Sequence, residues 1–215
     1  MNLFSKLFSY GKKKPDKGTE EPIAESKYMP HEELPVDEQF MRNFKEKGGK
    51  FLFVGTNKLS SSIIAKQALR ANSYYINYRW LGGMLTNWST IQKRIDRLKE
   101  LESQELDGSL DQMSKKEYSK IRKELDKLKR LFNGIKNMSE LPDAVIFTNQ
   151  LKDSLAIQEC LRLGIPTICI VDTNCNPDLI PYPIPANDDS SSSINFILNY
   201  LVNRILAGQS DLEVN

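Results

Sequence analysis

Asp143-Ala144-Val145-Ile146-Phe147 and, after one helix-length of chain, Gly164-Ile165-Pro166-Thr167-Ile168-Cys169-Ile170-Val171 are the stretches that decide the fold. Ala144 to Phe147 and Thr167 to Val171 are apolar or β-branched throughout rather than alternating with polar residues, so each reads as a strand covered on both faces. Leu155, Ile157, Cys160 and Leu161 lie on a helix between them. Strand, helix, strand of this kind is a βαβ unit, whose crossover makes the strands parallel. Upstream, Phe51 to Val54 is a similar run between Gly48-Gly49 and Gly55, and Ile63, Ile64, Gln67 and Ala68 stripe the next segment as a helix. The expected fold class is three-layer α/β with a parallel sheet. A last helix begins near Asp188-Asp189-Ser190, buries Ile194, Ile197, Leu198, Leu201, Val202 and Ile205, and is expected to stop at Gly208.

Between the first strands and Ala144 lies an insertion. Tyr118, Ile121, Leu125, Leu128, Phe132 and Ile135 are spaced three, four, three, four, three, and Trp88, Ile91, Ile95 and Leu98 give a matching seam upstream, with Gly108 in a polar turn between. This pattern predicts an antiparallel coiled-coil hairpin over 88–135. The body is then discontinuous, 39–87 and 136–208, with a polar, proline-broken arm at 1–38 expected to be largely disordered and a mobile tail at 209–215. Within the arm, Leu3, Phe4, Leu7 and Phe8 fit a short amphipathic helix.

Tyr74 to Tyr78 reads as a strand, and Arg79-Trp80-Leu81-Gly82-Gly83-Met84-Leu85-Thr86-Asn87-Trp88 joins it to the hairpin. A turn needs residues tolerant of positive φ, which Gly82-Gly83 supplies; it does not need two indoles and a thioether. Such a loop is folded back on its own domain or pressed against a partner. The hairpin's second helix carries Lys115, Lys116, Lys120, Arg122, Lys123, Lys127, Lys129 and Arg130 against Glu117, Glu124 and Asp126. Two readings stand: a solvated helical face, or a strut lying along phosphates.

Composition excludes several classes. Of 215 residues 40% are hydrophobic and 27% charged, with net charge +2, the mix of a soluble globular protein. No apolar run reaches the length of a membrane span. Cys160, Cys169 and Cys175 form no CxxC and His31 is the sole histidine, which disfavours a disulfide framework, a closed zinc site and an activated thiol. Val54-Gly55-Thr56-Asn57-Lys58-Leu59-Ser60-Ser61 has one Gly, so it is neither a dinucleotide fingerprint nor a P-loop, although Lys58 or Ser60 at a helix start can meet an anion. Asp172, Asp178, Asp188 and Asp189 are read as turn and cap residues rather than as a magnesium or acid–base site. No catalytic, cofactor-binding or metal-ligating residue is assigned.

The order of these runs resembles the universal S-two family of the small ribosomal subunit over roughly Gly48 to Gly208. Trp80, Leu81, Gly82, Gly83, Met84, Thr86 and Asn87, together with Arg79, match its first signature, and Asp172, Thr173, Asn174, Pro177 and Asp178 its second. Leu141-Pro142-Asp143, Leu163-Gly164-Ile165-Pro166 and Ile184-Pro185-Ala186-Asn187-Asp188-Asp189 agree. Asn87 to Ile91, Gly134 to Met138 and Ile165 to Cys169 look like plastid members, which implies a chloroplast ribosome, with a mitochondrion or bacterial cytoplasm as alternatives. The resemblance implies a flavodoxin-like or Rossmann-like α/β body with an inserted hairpin. It also implies a non-enzymatic structural role, with small-subunit rRNA bound between head and body, neighbouring ribosomal proteins as partners, and no cofactor, membrane or small-molecule substrate. The candidate RNA-facing residues are Lys58, Arg79, Trp80, Asn87, Lys93, Arg94, Lys115, Lys116, Lys120, Lys123, Lys127 and Arg130. One departure is the segment before Gly48, which lacks the His-, Arg-, Trp- and Asn-rich start of the family and is expected to be replaced or supplied by another chain. The alternative function is a divergent or split paralogue that binds a small molecule or nucleotide outside the ribosome.

Overall fold

Residues 49–112 and 114–210 are described in a computed structural model of the chain; the arm with its candidate helix and the segment after 210 lie outside the described residues. Five strands, β1 (Phe51–Val54), β2 (Tyr74–Ile76), β3 (Ala144–Phe147), β4 (Thr167–Val171) and β5 (Tyr182–Pro185), form one sheet in the order β2-β1-β3-β4-β5. Every neighbouring pair is parallel. Parallel neighbours need crossovers, and these are α1 (Lys58–Arg70) after β1, α2 (Trp88–Leu106) and α3 (Lys115–Phe132) after β2, and α4 (Ser154–Leu163) after β3; α5 (Ser191–Ser210) follows β5.

Strand alternation divides the core in two. Phe51, Phe53, Ile146, Ile168, Ile170 and Ile184 point to the face covered by α1 and α5, where Ile64, Ala68, Ile194, Leu198 and Val202 meet them. Leu52, Val54, Val145, Phe147, Cys169 and Val171 point to the opposite face, against Ala156, Ile157 and Cys160 of α4 and the stripes of α2 and α3. The stripes of α2 (Ile91, Ile95, Leu98, Leu101) and α3 (Leu125, Leu128, Leu131, Phe132) are continuous with that core. Ion pairs Arg97–Glu124, Lys129–Glu105 and Lys136–Glu102, at 3.5, 2.7 and 2.9 Å, link the two helices and the turn after them. Toward the far end the seam opens, since Tyr118 and Ile121 are only half-buried.

Local chemistry sets the boundaries. Ser114 and Glu117 form a capping box at the start of α3, the Glu117 backbone N–H bonding to Ser114 Oγ and the Ser114 N–H to the Glu117 carboxylate. Gly134 lets the 133–135 turn lie directly on the Tyr75 carbonyl, which a Cβ would strike, so that turn covers the β2 edge. The Tyr74 hydroxyl donates to the Asn137 carbonyl at 3.3 Å in the same region.

Two expectations change, and one strand is added. The strand expected over Tyr74 to Tyr78 ends at Ile76. The last helix does not stop at Gly208 but runs to Ser210, because a glycine weakens a helix by only about 1 kcal/mol relative to Ala and terminates it only in a left-handed turn. Strand β5 was not among the strands expected from the sequence; Pro183 and Pro185 pair in register with Cys169 and Val171 as the outermost strand, the position where missing N–H groups are tolerated.

Candidate nucleic-acid interface

The loop from Asn77 to Asn87 owes its shape to one carboxylate that its own sequence does not contain. Glu159 of α4 is 4% exposed and accepts five hydrogen bonds from the loop. Its Oε1 receives the Trp80 indole N–H at 3.0 Å and the Gly83 N–H at 2.8 Å. Its Oε2 receives the N–H groups of Leu85 and Thr86 at 3.0 and 3.1 Å and the Thr86 hydroxyl at 3.0 Å. Burial pushes the carboxyl's pKa up, but the bonds from Trp80, Thr86, Leu85 and Gly83 outweigh it and hold the group below its ordinary value. Gly83 sits at φ +84°, which turns its N–H inward at no steric cost.

This arrangement sorts the first signature. Trp80, Met84 and Leu85 are buried in the core beneath α2 and α4, and Leu81 packs against the same cluster. Trp80, expected among the RNA-facing residues, therefore faces the body, and its indole N–H is taken up by Glu159. Arg79 and the adjacent Tyr78 are thrown outward, Tyr78 being 55% exposed. Asn87 is exposed at the start of α2, where its side chain accepts from the Thr90 hydroxyl at 2.8 Å and does not cap the helix.

The loop and α3 border a cleft of about 560 Å³ lined by Tyr78, Arg79, Leu81, Lys123, Asp126, Lys127, Arg130 and Leu131. Lys120, Lys123, Lys127 and Arg130 recur at spacings of three and four and so share one helix face. All four are exposed, and among the described residues none has an ion-pair partner. Lys129, by contrast, turns back to Glu105 at 2.7 Å. Lys115 and Lys116 are exposed in the first turn of α3, Lys93 and Arg94 are exposed on α2, and Lys58 is exposed at the start of α1. None of these five lines the cleft, and neither does Lys120.

The second signature lies at the carboxyl ends of β4 and β5. Asp172 Oδ1 accepts from the Thr173 N–H at 2.6 Å, and Asn176 caps the Pro177–Leu179 turn through the Asp178 N–H at 3.0 Å. Thr173, Asn174 and Asp178 are exposed and Pro177 is half-buried. The capping expected of the aspartates falls largely to Asn176, to Asn187, which accepts from Asp189 N at 2.7 Å, and to Ser190, which accepts from Ser193 N at 3.5 Å. Carboxylate oxygens of Asp172, Asp188 and Asp189 come within 4.8 Å of one another. Burial, then the charges of Asp172 and Asp189, raise the Asp188 carboxyl, which accepts a 2.7 Å bond from Asn149.

Between the carboxyl ends of β1 and β3, where the strand order reverses, an α/β sheet places its ligand crevice. Here that space is closed: Gly55 is pressed against Ile64 and Thr148, and Thr56 donates to buried Asp153 at 2.8 Å. Burial raises the Asp153 carboxyl to about 6. The cysteines are equally unsuited to nucleophilic work, burial pushing Cys160 up to about 12 and raising Cys169 and Cys175 also. No helix among the described residues is long and apolar enough to cross a membrane.

The residues that sequence reasoning missed are Glu159 and Tyr78. A signal for the first existed, since a glutamate at 159 lies beside Ala156 and Cys160 on the buried stripe of α4, where an unpaired charge is prohibitive.

Comparison with known proteins agrees with this architecture. The profile of the family described as ribosomal protein S2 matches residues 32–208. The small ribosomal subunit protein uS2c of Gracilaria tenuistipitata var. liui is 53% identical over 172 residues, 80% of this chain and 74% of the relative. That of Porphyra purpurea is 52% identical over 171 residues, 80% of this chain and 71% of the relative. The small ribosomal subunit protein uS2 of Synechocystis sp. is 50% identical over 171 residues, 80% of this chain but 64% of the relative. With the parallel α/β sheet, a profile match over most of the chain and relatives at half identity or more, the chain belongs to the ribosomal protein S2 family.

Proposed function

We propose that this chain is a plastid-type structural constituent of the chloroplast small ribosomal subunit, and that it binds small-subunit rRNA through α3 and the loop clamped by Glu159. The carrying observation is the stripe Lys120, Lys123, Lys127 and Arg130, free of ion pairs among the described residues, of which Lys123, Lys127 and Arg130 line a cleft together with Arg79. Cations that find no carboxylate within the fold are available to phosphates, each contact steepening the salt dependence by roughly 0.7–0.9 in log-log slope. Lys115, Lys116, Lys93, Arg94, Lys58 and Asn87 extend the surface, and Trp80 and Glu159 hold it in shape. In this reading α2 and α3, residues 88–135, form the inserted coiled-coil hairpin, the site lies between head and body of the subunit, and neighbouring ribosomal proteins contact the remainder. It works without cofactor or catalysis.

The test is sedimentation of a plastid lysate carrying a tagged chain in which Lys120, Lys123 and Lys127 are all glutamate. The parent should co-migrate with small subunits at moderate salt and the variant should stay at the top of the gradient, with both unfolding at the same temperature. Co-migration of the variant at raised salt removes the basic stripe from the interface, and a parent that never leaves the top of the gradient favours a paralogue acting elsewhere.

A further inference from the structure

The geometry points to the cleft between the loop and α3 as a pocket for one extruded, unpaired nucleotide, rather than a surface along which an RNA duplex merely lies. This rests on the RNA-binding reading above and specifies the form of RNA that the site takes. A binding surface for duplex phosphates requires only cations. This cleft has an additional feature: its about 560 Å³ falls within the roughly 300–1,000 Å³ of pockets that enclose small ligands, and its lining includes Tyr78, Leu81 and Leu131 beside the charged residues.

Phosphates gain nothing from an aromatic ring and two leucines, whereas the face of a nucleobase does. An A-form duplex hides those faces, because its bases are stacked and its major groove is too narrow for side chains, so only a bulged or looped base can enter a concave site of this kind. Lys123, Lys127 and Arg130 lie on one helix face along α3, and Arg79 stands on the loop side, so the backbone flanking an inserted base meets cations on both walls. Asp126 lies among them. A carboxylate there repels a phosphate, but it accepts hydrogen bonds from a base amino group or a ribose 2′-hydroxyl, groups that an inserted nucleotide presents.

The loop wall is fixed in advance. Glu159 ties down Trp80, Gly83, Leu85 and Thr86, so the segment that carries Tyr78 and Arg79 is anchored on its C-terminal side before RNA arrives. The other wall is anchored by the packing of Leu125, Leu128 and Phe132 into the core. A cleft between two anchored walls loses little conformational entropy on binding, which favours a single inserted group.

The experiment uses the full chain and two RNA duplexes of equal length, one fully paired and one with a single bulged 2-aminopurine, titrated at several salt concentrations. The bulged RNA should bind about tenfold more tightly, as expected for one base stacked on an aromatic ring, with its fluorescence quenched on binding. Tyr78→Ala should abolish the quenching and bring the bulged RNA down to the affinity of the paired duplex, and Tyr78→Phe should retain both the preference and the quenching. Equal, salt-dependent binding of the two RNAs without quenching overturns the pocket and leaves the basic stripe as the RNA contact. Binding to neither RNA by a folded chain overturns the RNA-binding reading as well. A bulge preference that survives Tyr78→Ala places the inserted base elsewhere and overturns the assignment.

Discussion

Replacing Glu159 by glutamine removes a single oxygen and tests what shapes the interface. The carboxylate receives two N–H donors on Oε1, from Trp80 and Gly83, and two on Oε2, from Leu85 and Thr86, besides the Thr86 hydroxyl. A glutamine amide presents one oxygen and one NH2, so in either orientation two N–H donors face another donor; the Thr86 hydroxyl alone can turn to accept. At about 1–3 kcal/mol for each buried donor left unsatisfied, the loss is about 4 kcal/mol. For a chain of this length that corresponds to a fall of about 8–16 °C in the unfolding midpoint. Thermal unfolding followed by circular dichroism measures it, and tryptophan emission reports whether Trp80 leaves its pocket. Combining Glu159→Gln with Trp80→Phe should cost less than the sum of the two, since both disturb one network. A midpoint within about 2 °C of the parent, with unchanged emission, would refute the claim that Glu159 shapes the loop. The sign with pH is also fixed. A carboxyl held below its ordinary value stabilises above the unfolded pKa, near 4.5, and loses that contribution as pH falls through the lower folded value.

Asp153 has the opposite sign: its folded carboxyl at about 6 lies above the unfolded 3.8, so its contribution is complete below pH 3.8 and disappears as pH rises through 6. Two units correspond to about 3 kcal/mol, so Asp153→Asn should gain on the parent over that window in urea titrations, and parallel pH profiles would contradict the shift. Gly83→Ala forces an alanine to φ +84° and should cost about 1 kcal/mol or more in the same assay, a neutral outcome showing that the turn relaxes freely. Arg70 on α1 bonds Gln67 at 2.7 Å and Asn203 on α5 at 2.8 Å, and Arg70→Ala should destabilise by about 1–2 kcal/mol without altering RNA binding. For the interface, Lys123→Ala should lower the log-log salt slope of RNA binding by about 0.7–0.9 if it meets one phosphate, and an unchanged slope would place Lys123 off the backbone.

The central strands were legible because burial on both faces leaves an uninterrupted apolar run, as in Ala144 to Phe147 and Thr167 to Val171. The stripes of α2, α3 and α5 were legible because a helical period survives in a linear sequence. Strand β5 was not, since prolines hide a strand whose pairing only an outer position permits. The end of α5 was misplaced because glycine has no fixed meaning apart from its backbone angle.

For the site, the sequence determined that the loop from Arg79 to Trp88 was specified beyond chain reversal and that α3 is basic. It determined the family through motifs that need no structure to read. Only the tertiary structure decided which face of that loop turns inward, because the decision belongs to Glu159, 73 residues beyond Thr86 in the chain and brought to it by the packing of α4 on the sheet. The same packing separates Trp80, buried for the fold, from Tyr78 and Arg79, left on the cleft. Periodicity along a chain records which residues share a face; the acceptor that a buried donor finds, and the wall that a cation stands across from, depend on contacts between distant segments.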